Sequence, residues 1–508
     1  MLFLFLTASV LGIIIVFLKY SLWRHKCSQG MPGKKQGFFN VLGDLKDMFA
    51  YENSNDKYAL HHHFIKVLKN RTELYQKQQL FSWWALYVPF VFLVKADAVK
   101  AVMKGFKTID KSRVYNILKP LSGSGLGNLP SEEWKPRRKL LAPCFHTDIL
   151  RVYMDVFNEH SQKLARFFSQ ETKKEFTYVK KPITLVAMDI LCETVFGIQI
   201  GAFENEEDSG YVKSLHSLTE IYISRIYKFW QWPKFLFKFT KTYREMKFHE
   251  QVCHDFVTKV IREKKKSYLN RDMEYEKGKR KAVLDLLLEL YSDSGELSEE
   301  NIREDLKVFV FGGHDTASIA MTWALFLIGL YPDVQAKIHD ELDRIFGDDV
   351  ERYVTENDLN ELKYLDCVIK ETNRLYSPAP MFGRQIHEET NICGHTIPKG
   401  ASCIVLAHFL HRDEDVFPDP EKFDPDRFLP ENSSNIPEFA FVPFAAGPRN
   451  CIGQRYATME MKTMLSTILR SFTVESLDGR DKVLPLMLIT LHPSIPIRIK
   501  IRARKLRK

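Results

Sequence analysis

Little in this 508-residue sequence marks it as an assembly of small modules. After the first forty residues no Pro-, Gly- or Ser-rich linker divides it, and it holds no internal repeat and no low-complexity tract. Length alone would allow about three domains, but the missing punctuation favours one large domain with a shared core. Cysteine is scarce: the eight residues Cys27, Cys144, Cys192, Cys253, Cys367, Cys393, Cys403 and Cys451 are irregularly spaced and include no Cys-x-x-Cys. That excludes a disulfide framework and favours a reducing compartment, with most of these thiols acting as small buried hydrophobes. Charge of one sign is also modest, +9 from 73 basic and 64 acidic residues. Zinc-finger spacing and helix-turn-helix signals are absent, so nucleic acid is not the expected partner. A mild basic excess, densest at Arg502, Arg504, Lys505, Arg507 and Lys508, fits an anionic membrane surface, an acidic protein partner or a plain solvated face.

What the sequence does have begins at its first residue. Met1–Leu18 is an almost unbroken apolar run, extended by Tyr20–Trp23 and followed by Arg24, His25 and Lys26. About 20 apolar residues span a bilayer as a helix. The run exceeds a usual signal-peptide core, lacks a small-residue cleavage site, and is neither amphipathic nor Arg-rich as a mitochondrial presequence would be. It reads as a signal anchor over 1–23, then a linker over 24–44 and a catalytic domain over 45–508. Positive charge after the span places the remainder in the cytosol. No second span is expected, because Gly312-Gly313-His314-Asp315-Thr316 interrupts the apolar stretch Val308–Leu330. The interleaved aromatic and basic residues of Ile221–Phe239 suit a membrane interface or a lid over a pocket.

Helical patterns dominate, with short β-rich pieces. Ser298 before Glu299 and Glu300 reads as an N-cap with an acidic first turn. Its helix should run to about Tyr331, where Pro332 ends it and opens the next, Asp333–Phe346. Glu356–Leu375 reads as one or two helices. Gln385–Cys393, Ser402–Leu406 and Leu484–Ile501 read as strands, with turns after Cys393. The charged segment Glu263–Lys281 reads as an exposed connection.

The chemistry-bearing run is Phe444-Ala-Ala-Gly-Pro-Arg-Asn-Cys-Ile-Gly453. Glycines permit close backbone approach to a flat cofactor. Arg449, nearby N–H groups and the start of a helix over Gln454–Arg470 would all favour a Cys451 thiolate. Phe444-x-x-Gly447-x-Arg449-x-Cys451-x-Gly453 resembles the haem-binding signature of the cytochrome P450 superfamily. Three further motifs agree in order: Gly312-Gly-His-Asp315-Thr316-Ala317, Glu371-Thr-Asn-Arg374, and Pro425-Asp-Arg427-Phe428. The resemblance covers nearly the whole chain. It implies the P450 fold, mainly α with small β-sheets, and one N-terminal transmembrane helix. It implies haem b held at iron by Cys451, with Phe444 packed against that ligand. Trp134, Arg138, Arg384 and Arg449 match propionate-binding positions, and Gly447 and Gly453 belong to the haem loop. Asp315 and Thr316 would form a proton relay for dioxygen activation. Glu371, Arg374 and Arg427 would form a structural cluster behind the haem.

Within the superfamily, the block Ser112–His146, the Gly-His-Asp-Thr helix and Phe441–Gly453 look most like family 4, associated with ω-hydroxylation of fatty acids and, in arthropods, with lipids, hormones and foreign compounds. Two positions depart from that pattern. Gly312 stands where many family-4 members carry a Glu esterified to haem, so the haem should be held non-covalently apart from its Cys451 bond. Ala317 replaces a common second threonine. Substrate contacts by family position are Tyr115, Ile117, Leu118, the segment near Phe229–Phe239, Phe309, Ala379–Phe382 with Met381 and Phe382, and Leu488–Ile489. They are mostly apolar, which fits a lipophilic substrate. Each alone also fits core packing. The sequence has no nicotinamide or flavin fingerprint, so electrons should come from an NADPH-dependent P450 reductase, with cytochrome b5 as a second donor, at the endoplasmic reticulum membrane. The leading function is a monooxygenase. The alternative is a haem-thiolate isomerase or dehydratase needing no reductase, disfavoured by the intact Asp315-Thr316, and a third class is a non-catalytic haem or lipid carrier.

Overall fold

The computed structural model describes residues 1–49, 58–105, 109–205, 210–269, 281–294 and 297–505. The single domain expected over 45–508 divides into two compact units built from alternating segments. One comprises Met1–Arg113, Ala379–Lys422 and Ser434–Asn450; the other comprises Val114–Pro378, Phe423–Ser433 and Cys451–Lys508. Alternation explains why no linker composition marks a boundary.

The first unit opens with helix α1, Leu2–Gly30, which continues past the Trp23 limit read from hydropathy. It stops where Met31 turns extended (φ −109°, ψ 147°), the conformation that the following Pro32 imposes on its neighbour. Among the described residues α1 is the one unbroken helix long and apolar enough to cross a membrane. Its last turns are tied down by hydrogen bonds. Arg24 is fully buried. Its guanidinium donates to the carbonyls of Leu86 (2.9 Å), Val41 (3.2 Å) and Gly37 (3.4 Å) and lies 4.6 Å from the Tyr87 ring centroid. Strands β1 (Leu80–Ala85) and β2 (Val88–Leu93) form an antiparallel hairpin. Strand β3 (Phe382–Gln385) pairs antiparallel with β4 (Ser402–Val405), and β4 lies parallel to β2, with Phe90 opposite Ser402. Both β1 and β4 are buried throughout, Ser82 and Ser402 included, so neither follows the alternation of a half-exposed strand. A small hairpin, Thr390–Ile392 with His395–Ile397, turns at Cys393 and Gly394, both at positive φ.

The second unit is mainly helical. Helix α2 spans Ser131–Leu141, α3 Lys180–Leu191, α4 Glu299–Leu330, α5 Lys363–Leu375 and α6 Gln454–Ser471. The capping expectation holds at α4. The Ser298 hydroxyl accepts from the Asn301 amide, and Asn301 Oδ1 accepts from the Ser298 amide, both at 3.1 Å. From Ala317 to Gly329 every residue of α4 is buried by the protein itself. Trp323 stacks on Tyr376 at 4.0 Å and donates its indole N–H to Leu491 O at 2.7 Å. That bond fixes the hairpin of β5 (Pro485–Met487) and β6 (Leu491–Pro493) against α4. Gly313 serves packing: a Cβ there would stand 2.6 Å from Leu191 of α3.

Three expectations change here. Glu263–Leu269 is the end of a helix, Lys241–Leu269, and not a connection; residues 270–280 lie outside the described residues. The basic tail is not a free polycation. Arg502 donates to the carbonyls of Thr172 and Lys174, and Arg504 pairs with Asp343; Arg507 and Lys508 lie outside the described residues. The aromatic segment divides its side chains. Phe237 is buried with the Arg225 guanidinium over its ring at 4.2 Å, while Trp230, Phe235 and Phe239 are exposed.

Candidate functional site

Cys451 precedes α6, whose N-cap is Gly453. Of the eight cysteines it is the exposed one. The residue lies just before a helix whose partial positive charge favours a thiolate. A Cβ on Gly453 would lie 4.0 Å from the Cys451 sulfur, an ordinary contact, and Gly453 has negative φ (−89°). Its glycine identity is thus not a turn requirement. Arg138 and Trp134 sit one turn apart on α2, as their spacing predicts; Trp134 is buried and Arg138 half-buried. Burial lowers the Arg138 pKa, and the nearby Cys451 charge pulls against it. The same helix is locked to α4 by a pair the sequence reading missed. Arg137 donates to Asp305 Oδ2 at 2.7 Å, and the Leu126 amide donates to Oδ1 at 2.7 Å, with Asp305 wholly buried. Arg137 lies beside a motif position, but its partner is 168 residues away in sequence, beyond any local pattern.

Glu371 and Arg374 of α5 form the buried pair expected from their spacing. Nε and Nη2 donate to the two carboxylate oxygens at 2.7 and 2.8 Å, both side chains being fully inaccessible. The Asp424 amide donates to Glu371 Oε1 at 2.9 Å, and Arg427 Nε lies 3.7 Å from the same oxygen. Burial pushes the Glu371 carboxyl up, against the pull of Arg374. This triad clamps the segment Phe423–Ser433.

Asp315 and Thr316 do not meet. Thr316 Oγ1 donates back to Gly312 O at 2.7 Å, whereas Asp315 Oδ2 accepts from Thr490 Oγ1 at 2.6 Å and lies 3.4 Å from His492 Nε2. Consecutive helical residues point about 100° apart, so adjacency in sequence does not give a hydrogen-bonded pair. Gly312 is exposed, and a Cβ there would meet nothing within 4 Å. Ala317 is buried.

In the first unit, Gly447 has φ +73°, and a Cβ there would stand 1.9 Å from Met103 O. Here glycine is obligatory. Arg449 is buried and donates to Ile109 O at 3.3 Å; Arg384 is buried on β3 and donates to Gly383 O at 3.2 Å. Phe444 and Met381 are half-buried, and Phe382 is buried on β3. Among the other expected substrate contacts, Tyr115, Ile117 and Leu118 lie on the helix Tyr115–Ser122, Leu488 turns between β5 and β6, and Phe309 packs edge-on against Phe145 at 5.4 Å. A cavity of about 350 Å³ is lined instead by Leu121, Tyr211, Leu215 and Val310, with Glu250 and Lys307 at its wall. Val310 rather than Phe309 reaches it because neighbours on α4 face different sides.

A sequence model of the cytochrome P450 family matches residues 57–501. The chain belongs to the cytochrome P450 family. This P450 is 40% identical over 454 residues to human cytochrome P450 4V2, covering 87% of this chain and 85% of that protein. It is 40% identical over 435 residues to cytochrome P450 4c3 of Drosophila melanogaster (83% and 81% covered). With cytochrome P450 4c21 of Blattella germanica it is 33% identical over 511 residues, 99% of each chain. The resemblance is thus to family 4. The P450 is an iron- and haem-dependent monooxygenase that uses dioxygen, a lipophilic substrate and a redox partner. Its apolar α1 is consistent with membrane anchoring. The residues present fit a haem group: an exposed cysteine before a helix N-terminus, and a half-buried arginine on α2 that feels its charge.

Proposed function

We propose that this P450 oxidises a fatty-acyl, hormone-like or xenobiotic lipid, and that Cys451 is the thiolate that binds its haem iron. The observation that carries the assignment is the exposed residue Cys451 before α6, with Gly453 as the N-cap and Arg138 close enough to feel its charge. When bound, haem supplies dioxygen activation, and thiolate ligation favours O–O cleavage. The chain's own contributions are separable. Cys451 holds the group. Arg138 and Trp134, on one face of α2, suit a propionate, since a guanidinium fork matches a carboxylate; Arg384 and Arg449 are propionate partners by motif position. Glu371, Arg374 and Arg427 fix backbone and take no part in chemistry. Asp315 carries protons at Oδ2, and Thr316 offers a hydroxyl one residue further along α4. Gly312 carries no carboxylate, so no ester to haem forms there. The apolar character of Leu118, Phe309, Phe382 and Leu488 supports a lipophilic substrate.

Electrons come, in this reading, from NADPH through the P450 reductase, with cytochrome b5 as an accessory donor, at the cytosolic face of the endoplasmic reticulum. The apolar α1 and the positive cluster Arg24, His25 and Lys26 after it support that placement. Cys451→Ser should remove the thiolate-type Soret band of the reduced, carbon monoxide-bound protein and abolish turnover with purified reductase. A variant that keeps that band would refute the ligand assignment. Acid extraction should release the haem completely. A panel of lipids scored by Soret shift and reductase-dependent NADPH use identifies the substrate class; turnover without reductase would instead indicate an isomerase or dehydratase.

A further inference from the structure

Asp315 ends a chain of hydrogen bonds that all run one way. Thr490 Oγ1 stands 2.6 Å from Asp315 Oδ2, His492 Nε2 stands 2.7 Å from that hydroxyl, and Lys180 Nζ stands 2.8 Å from His492 Nδ1. An ammonium has protons and no lone pair, so Lys180 donates and Nδ1 accepts. The neutral imidazole then carries its proton on Nε2. That N–H faces the Thr490 hydroxyl, whose own proton goes to the carboxylate. His492 Nε2 also lies 3.4 Å from Asp315 Oδ2, but the hydroxyl is the nearer acceptor. Three elements supply the members: the first residue of α3, the β5–β6 hairpin and the middle of α4.

The two ends rest charged, as ammonium and carboxylate, so the transfer runs uphill until turnover draws the proton on. Lys180 is half-buried and begins a helix, where the dipole disfavours a cation. Burial lowers its pKa, while Asp315 and Glu220 of the helix Gly210–Tyr227 pull the other way. Burial alone would raise the Asp315 pKa, but His492, His314 and Thr490 outweigh it and hold the carboxyl well below the usual range. Thr490 is buried, and His492 is half-buried.

We propose that Lys180, His492 and Thr490 form a supply line that reloads Asp315 with protons from solvent. The proposal rests on the reading of Asp315 as the residue that carries protons in turnover. In one transfer the Lys180 Nζ–H bond breaks and a His492 Nδ1–H bond forms. His492 Nε2–H breaks and passes its proton to Thr490 Oγ1, which gives its original proton to Asp315 Oδ2. The net change is ammonium and carboxylate to amine and acid. Lys180 regains its proton from water, and monooxygenation consumes the one passed on. The imidazole and hydroxyl then turn back. The three supplying residues are positioning residues that act through Asp315.

A merely structural chain would only staple the β5–β6 hairpin to α4, and Lys180→Arg separates the two roles. Arginine keeps the charge and the donor but does not release a proton. With reductase and a substrate, Lys180→Arg and Thr490→Val should each raise peroxide released per NADPH by about tenfold, less than the roughly 10²–10⁴-fold of a directly positioned proton donor because both act through Asp315. Both should steepen the solvent deuterium effect on coupling, and Thr490→Ser should restore it. Independently of turnover, nitrogen-15 histidine spectra of the holoenzyme should show His492 neutral with its proton on Nε2; His492→Gln assigns the signal. Normal coupling in Lys180→Arg, or a proton on Nδ1, overturns the supply line. Asp315→Asn distinguishes the two levels: if it leaves coupling unchanged, the reading of Asp315 fails and the supply line falls with it. If it uncouples while Lys180→Arg and Thr490→Val do not, the supply line alone fails.

Discussion

At the scale of single residues, two glycines of one motif have opposite physical standing. Gly447 sits at positive φ with the Met103 carbonyl where a Cβ would go, whereas Gly453 has ordinary φ and room for a methyl. Gly447→Ala should therefore displace backbone and cost most of the bound haem, read as haem-to-protein ratio. Gly453→Ala should cost at most about 1 kcal/mol, the scale of N-cap exchange. The motif pattern identified both residues but ranked neither, because the requirement at Gly447 comes from a strand of chain more than three hundred residues earlier. Glu460 was invisible to pattern altogether. It lies buried in α6, and burial pushes its carboxyl from 4.5 up to about 8. A raised carboxyl pKa penalises the ionised fold. Below pH 4.5 the penalty is absent, it grows as pH rises, and it is complete above pH 8. Glu460→Gln should thus stabilise the protein above pH 8, by up to about 5 kcal/mol if the whole shift is realised, with the gain vanishing near pH 4.5. Thermal unfolding across pH 4.5–9 checks the sign; a constant gain at all pH values would contradict it.

At the scale of elements, the sequence was most legible where the cause is local. Ser298 before two glutamates announced the start of α4, Pro332 its end, and three-residue spacing the Glu371–Arg374 pair. It was least legible where the cause is a meeting of distant elements. Arg137 with Asp305 joins α2 to α4, and Thr490 with Asp315 joins the β5–β6 hairpin to α4. Asp305→Ala would leave the Arg137 guanidinium half-buried and the Leu126 amide without its acceptor. The expected loss is about 3–5 kcal/mol, seen as a lower midpoint in urea. Because α2 also carries Trp134 and Arg138, haem retention should fall in parallel. A variant with normal stability and haem content would mean that α2 is held by other contacts.

At the scale of the whole molecule, the N-terminal helix is both an apolar span and a fixed part of the first unit. Arg24 donates to three carbonyls from a fully buried position, and Ser21 Oγ bonds Tyr87 Oη at 3.0 Å. Removing residues 1–20 should release the protein from vesicles in flotation while leaving its thermal midpoint near that of the full chain. Removing residues 1–30 should lower the midpoint as well, since charged hydrogen bonds of this kind are worth about 1.5–3 kcal/mol each. Equal midpoints for the two truncations would show that the clasp is idle. Hydropathy located the span but not the clasp, because Arg24 reads in sequence as one more flanking positive charge.

The alternating segments also impose an order in time. The first unit closes only with chain up to Asn450, yet the 265 residues Val114–Pro378 of the second unit are made between its early and late pieces. At about 5–20 residues per second the ribosome needs roughly 10–50 s for that interval. Throughout it the β1–β2 hairpin waits with the edge of β2 unfilled by β4. An open strand edge is a template for wrong pairing. Slowing translation within Val114–Pro378 should therefore lengthen that exposure and raise aggregation of the newborn chain.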